Sequence, residues 1–143
     1  RQRQMCIRDR INFARYERYA EVEKNEPMWE EYMMEDAEYC VVAYGIAARV
    51  SKNAVTAARA NGVKVGLIRP ITLWPLPTEA LAAAAKKVKA FVSVELSMGQ
   101  MIEDIRLATG CSRPVTLCNR AGGMIPDPEQ VLEAIAKSAE VNE

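Results

Sequence analysis

Four short apolar runs, beginning at Tyr39, Val63, Ala90 and Pro114, recur 24, 27 and 24 residues apart, and this spacing restricts the fold more than any other feature. The runs Tyr39–Tyr44, Val63–Arg69, Ala90–Glu95 and Pro114–Cys118 have strand length and are rich in β-branched or aromatic residues. The gaps are too long for hairpins and suit βα units. Helices are predicted over Ala47–Asn61, Pro77–Lys87, Gly99–Thr109 and Pro128–Ala139. A βαβαβαβα order with nearly continuous apolar strands predicts a parallel sheet covered on both faces. The expected class is α/β, a three-layer α/β/α sandwich with right-handed crossovers.

Local signals agree with these helix ends. Asn61-Gly62 offers a left-handed C-cap. Asp127-Pro128-Glu129-Gln130 supplies an N-cap, a proline at the first helical position and a glutamine that can reach back to the cap. Beyond it, Val131, Leu132, Ile135 and Ala136 form a core stripe.

The amino-terminal part is different in kind. Residues 1–10, RQRQMCIRDR, show no hydrophobic period and resemble translated sequencing-adapter DNA, as found at the ends of environmental gene assemblies. We read them as a non-native assembly scar. Residues 11–37 form a linker region in which Phe13, Tyr16, Tyr19 and Val22 line one helical face. Pro27 interrupts that helix, and a restart is expected through Trp29, Tyr32 and Met33. The aromatic stripe has two readings: packing on the domain's own sheet, or linkage to another domain. Residues 38–143 form the α/β domain.

Composition removes much chemistry. The chain has no histidine, which excludes histidine-dependent triads and His-ligated zinc within it. Its 19 basic and 19 acidic residues balance, and no long run of one sign supplies a nucleic-acid or anionic-membrane surface. Without residues 1–10 there are 15 basic and 18 acidic residues. No Cys-x-x-Cys occurs among Cys6, Cys40, Cys111 and Cys118, so a cluster or zinc ribbon held by this chain is not expected. Cys40 and Cys118 lie in apolar runs and read as buried thiols. With neither a membrane-spanning stretch nor a secretory signal, the expected location is the cytoplasm.

Ligands of open parallel sheets gather at the carboxyl ends of the strands, where strand order reverses. Four segments reach that edge. Gly45 opens a small-residue turn after the first run, where helix-start amides can approach an anion. Trp74 stands in a proline-stiffened connection after the second run, either covering the sheet edge or anchoring a partner. After the third run come Glu95, Ser97, Gly99 and Gln100. Ser97 and Gln100 are spaced as a capping box, and Gly99 in a first helical turn would lower helix stability. Glu95 has two readings, an interface or ligand contact, and a carboxylate satisfied by helix-start amides. Arg120, after the fourth run, is either an anion clamp or a solvated loop arginine. No nicotinamide dinucleotide fingerprint is present.

Taken together, VVAYGIAARV, VGLIRPITLWPLP, FVSVELSMGQMIEDIR and NRAGGMIPDPEQV, preceded by the linker helix, resemble the carboxyl-terminal domain of the alpha subunit of 2-oxoacid:ferredoxin oxidoreductases. The likeness is strongest to the 2-ketoisovalerate (3-methyl-2-oxobutanoate) type and spans about Ile11 to Lys137. More distantly the pattern is similar to the transketolase carboxyl-terminal domain, through Val92-Ser93-Val94-Glu95 and Gly99. The chain departs from the family's glycine turn at Ala121.

The resemblance implies a fragment of an enzyme that oxidatively decarboxylates a 2-oxoacid to an acyl-CoA. Thiamine diphosphate, Mg2+, iron–sulfur clusters and coenzyme A are implied for the whole complex and none for this chain. Implied partners are an upstream pyrimidine-binding domain absent here, beta and gamma subunits and a ferredoxin-like subunit, with no nucleic acid or membrane. It also implies a strand order in which the Tyr39 and Ala90 runs are neighbours, flanked by the Val63 and Pro114 runs. No catalytic, cofactor or metal residue is expected here. Gly45, Trp74, Glu95, Ser97, Gly99, Gln100 and Arg120 are expected to face the absent domain or a partner subunit. Reversing the charge of Glu95 is then expected to spare the domain's own stability. The alternative reading is a stand-alone flavodoxin-like module for a small anion or nucleotide.

Overall fold

The computed structural model describes the backbone of residues 2–140 and the side chains of residues 5–139. A long helix, α1 (Gln2–Asn25), leads into a short strand, β1 (Trp29–Tyr32). Then follow β2 (Tyr39–Ala43), α2 (Gly45–Ala60), β3 (Val65–Pro70), α3 (Thr78–Ala85), β4 (Ala90–Glu95), α4 (Met101–Ala108), β5 (Val115–Asn119) and α5 (Pro128–Glu140). The sheet order is β1-β3-β2-β4-β5. The four expected strands pair in parallel, with the Tyr39 and Ala90 strands adjacent in the register Tyr39↔Ala90.

The parallel strands are apolar on both sides because both sides are covered. Val41, Leu67 and Val92 pack under α2 and α5, with Val55 and Ile135 facing them. On the opposite face Cys40, Val42, Ile68 and Phe91 meet Leu81 of α3 and Ile105 of α4. The alternation along β2 is the period-two rule at work. At roughly 25 cal/mol per Å2 of apolar surface, burial on this scale is the main driving force for folding.

The helix ends follow their sequence signals. Gly62 has φ +85°, its N–H bonds Arg59 O, and Val63 N–H bonds Ala58 O, the paired bonds of a Schellman cap. At α5 the Gln130 side chain accepts from the Asp127 N–H at 3.2 Å, one half of a capping box.

The amino-terminal helix departs from expectation at both ends. It runs unbroken from Gln2 through Arg10 to Asn25, and it does not restart after Pro27. Instead Trp29–Tyr32 pairs antiparallel with β3, Trp29 opposite Pro70 and Tyr32 opposite Leu67. The three-residue spacing of Trp29 and Tyr32 suits a helix face. Pairing with the open edge of β3 overrides that local preference, since an edge strand draws its stability from its neighbour.

Candidate functional site

Parallel topology carries the turns after β2, β3, β4 and β5 to one edge of the sheet. Gly45, Trp74, Glu95, Ser97, Gly99, Gln100 and Arg120 all lie in or beside those turns. Only some of them touch. Glu95 bonds Ser97 and Gln100, and the Arg120 N–H donates to the Glu95 carbonyl at 3.2 Å. Gly45 opens α2 after the next strand over, β2, and Trp74 follows the strand beyond that, β3.

Glu95 is the most constrained of these residues. Its side chain is fully buried at the exit of β4. One carboxylate oxygen accepts from Ser93 Oγ at 2.9 Å and from the Ile102 N–H at 3.1 Å. The other accepts from Ser97 Oγ, from the Gln100 N–H at 2.8 Å and from the Met101 N–H at 3.1 Å. Burial acts to raise its pKa. The hydrogen bonds from Ser97, Ser93, Met101 and Gln100 outweigh it, so the carboxyl sits below its ordinary value.

This arrangement changes two expectations. The Ser97–Gln100 capping box is not formed: the residue before α4 is Gln100, which makes no side-chain cap bond, and Ser97 donates to Glu95 instead. Glu95 itself serves the orphan amides at the start of α4, from a strand rather than from the cap position. A fully buried carboxylate holding five donors is no surface contact. Reversing its charge would bury a cation against those donors, so the expectation that such a change spares the domain's stability does not hold. Ser93 was not singled out from the sequence. Its one signal is a hydroxyl residue inside an apolar strand two positions before an acid.

Gly99 precedes α4 rather than sitting in its first turn. Its φ of +101° calls for glycine, and an added Cβ would lie 3.3 Å from Leu117. Trp74 is exposed, is joined to Pro75 by a cis peptide bond, and packs edge-on against Tyr19 of α1 with ring centroids 5.6 Å apart. Gly45 has φ +57° and open space around it. It borders a cavity of about 330 Å3 with Tyr32, Arg49, Lys52, Arg69 and Glu30. There Arg69 is paired with Glu30 at 3.0 Å, and Lys52 lies over the Tyr32 ring.

The donor chemistry does not fit a cluster or catalytic metal. Among the described residues no three His, Cys, Asp or Glu side chains converge as ligands. Cys40 and Cys118 belong to opposite faces of the sheet, and burial pushes both thiols up in pKa, away from the thiolate that binds metal. Among the described residues no helix is long and apolar enough to cross a membrane.

A ketoisovalerate oxidoreductase subunit, VorB, of Methanothermobacter marburgensis is 52% identical over 131 residues, covering 92% of this chain and 37% of that protein. The 2-oxoglutarate synthase subunit KorA of Methanothermobacter thermautotrophicus is 34% identical over 108 residues, covering 76% of this chain and 29% of that protein. The chain thus spans 29% to 37% of the length of these curated relatives. Among solved structures, a 2-oxoglutarate:ferredoxin oxidoreductase from Magnetococcus marinus aligns with TM-score 0.78 at 22% identity, over 92% of this chain and 23% of its own. A split-gene transketolase aligns with TM-score 0.70 at 18% identity, over 81% of this chain and 42% of its own. These two alignments identify the fold as transketolase-like. The profile described as pyruvate:ferredoxin oxidoreductase core domain II matches residues 37–131, and the chain therefore belongs to that family.

Proposed function

We propose that this chain is part of a subunit of a 2-oxoacid:ferredoxin oxidoreductase and contributes to the oxidative decarboxylation of a branched-chain 2-oxoacid to its acyl-CoA. The observation that carries this reading is the 52% identity to a protein named as a ketoisovalerate oxidoreductase subunit, against 34% to one named for 2-oxoglutarate. Thiamine diphosphate, Mg2+, coenzyme A and the iron–sulfur clusters are then held by other domains and subunits, in the cytoplasm. In this reading the chain's own task is assembly. Gly45, Trp74, Ser97, Gly99, Gln100 and Arg120 form the face turned toward the rest of the enzyme, with Glu95 beneath them.

The test is a domain exchange. Residues 37–131 of this chain replace their counterpart in the full-length Methanothermobacter marburgensis subunit, which is then assembled with its native partners. Coenzyme A-dependent reduction of ferredoxin is expected with 3-methyl-2-oxobutanoate and not with 2-oxoglutarate. A soluble, folded exchange subunit that fails to assemble or to turn over would sink the proposal.

A further inference from the structure

We infer that Glu95 is a positioning residue that locks the 96–100 turn and holds Met98 out from the carboxyl edge as an apolar anchor, docked in the assembled enzyme by the remaining polypeptide of the same subunit. The inference rests on the reading of that edge as an assembly face, and it divides the labour there. Glu95 sets the geometry, and Met98 makes the contact.

The turn is immobilised from several sides. One buried carboxylate gathers donors from Ser93 in the strand, Ser97 in the turn and three consecutive amides from Gln100 to Ile102. Asn119 Nδ2 on the neighbouring strand donates to Ser97 O at 2.7 Å. Gly99 has φ +101°, and a Cβ added there would lie 3.3 Å from Leu117 and 3.4 Å from Ile102. Capping α4 alone would need the amides and no more. The Ser93 hydroxyl orients the carboxylate, and the Ser97 hydroxyl and Asn119 tie down the turn itself.

Yet this rigid turn presents an apolar side chain to solvent, touched from its own domain by Asn119 Nδ2, which lies 3.9 Å from Met98 Sδ. Met98 is 80% exposed, the most exposed large hydrophobic side chain among the described residues. An exposed methionine on a flexible loop would need no explanation. On a fixed backbone it is preorganised for docking, because little ordering cost remains to be met on association. Its unbranched thioether adapts to the surface it meets.

Three observations select the occupant. Large apolar side chains from other turns of the same edge are also exposed: Ile71, Leu73 and Trp74 after β3, and Met124 and Ile125 after β5. The backbone enters the sheet at that edge, where Trp29 pairs with Pro70 and the Ile71 N–H donates to Met28 O. The relatives are much longer than this chain, which spans 37% of VorB. A continuous subunit has most of its polypeptide to place, and this edge gathers exposed apolar side chains from three of its turns.

Methionine oxidation provides the test, because dilute hydrogen peroxide reads thioether access residue by residue in intact protein. The oxidation rates of Met98 and Met124 are compared by mass spectrometry in the isolated chain and in the full-length exchange subunit described above. Met98 is expected to oxidise at least tenfold more slowly in the full-length subunit. Glu95→Gln is expected to restore fast oxidation of Met98 there while Met124 stays protected, and to speed hydrogen exchange of the Gln100–Ile102 amides. Should Glu95→Gln unfold the subunit, Ser97→Ala removes one donor and keeps the carboxylate, with a smaller change of the same sign expected. Fast Met98 oxidation in the full-length subunit with Met124 protected would overturn this inference and leave the assembly face standing. Fast oxidation of both would overturn the two together. Met98 protection unaffected by either variant would deny Glu95 its positioning role.

Discussion

The guanidinium of Arg59 donates to the carboxylate of Asp36 across 2.7 Å, and with the same group it fastens the turn between β1 and β2 to the sheet. Its Nη2 also donates to Met33 O at 2.6 Å and its Nε to Val65 O at 2.7 Å. The hydrogen bond from Arg59, with its charge, holds the Asp36 carboxyl below its ordinary pKa. Asp36 is solvent-exposed, so the backbone carbonyls are the partners that matter. Arg59→Met keeps the aliphatic stem and strands those carbonyls, at a cost of about 2 kcal/mol. That corresponds to a fall in melting temperature of roughly 5–8 °C for a chain of this size. Asp36→Asn should shift it far less. Equal melting losses in the two variants would show the ion pair, not the carbonyl bonds, to be the fastening.

Gly66 is required under that same turn for space rather than for backbone freedom. An added Cβ would press into Met34 Sδ and lie 2.7 Å from Met33 O, a backbone atom that cannot simply rotate away. Gly66→Ala should destabilise by about 1–3 kcal/mol, as overpacking does. Thermal melting of the purified variant checks this. A melting temperature at or above that of the parent would mean the Met33–Ala37 turn shifts freely.

Most of the sheet could be read before the structure because buried parallel strands must be apolar on both faces, and their crossovers need about a dozen residues or more. That argument finds Tyr39–Ala43 and Ala90–Glu95 and says nothing of Trp29–Tyr32. The edge strand reads Trp-Glu-Glu-Tyr and is mostly exposed, so its identity lies in the backbone of β3 and leaves no apolar pattern to detect. The site shows the same division. Topology was enough to bring Gly45, Trp74, Glu95 and Arg120 to one edge. Of the two readings of Glu95, the structure shows the carboxylate satisfied by helix-start amides; its full burial and the hydroxyls of Ser93 and Ser97 were not legible, since these donors converge only through the turn that Gly99 permits.

Glu95 also gives the chain a defined response to acid. Its folded pKa is depressed, so the stabilisation it provides is complete above the unfolded value of about 4.3 and is lost as pH falls through the lower folded value. The lowered pKa of Glu38, held by its hydrogen bond and charge interaction with Lys89, acts with the same sign from the amino end of β2, at the other edge of the parallel strands. Melting temperature should therefore hold steady from pH 7 to about 5 and decline below about 4. Glu95→Gln should melt lower at pH 7 and decline less steeply in acid, because an uncharged amide gives up nothing on acidification. Parallel curves for parent and variant would assign the acid loss to other carboxylates.

The aromatic stripe of α1 has its clearest tie to the domain at Tyr19, whose ring meets Trp74 edge-on, while Phe13 and Tyr16 are 70% and 71% exposed. Neither core cluster includes a residue of α1. An edge-to-face pair of this kind contributes about 1 kcal/mol beyond area. Breaking it should therefore free the helix without weakening the sheet. In a Trp29→Phe background, Tyr19→Ala should shift Trp74 emission to longer wavelength and speed hydrogen exchange along α1, with the main melting transition moved by no more than about 1 °C. A loss above about 3 °C would make α1 part of the cooperative unit. The smaller change would instead leave its exposed stripe, together with Trp74, available to the assembly proposed for the carboxyl edge.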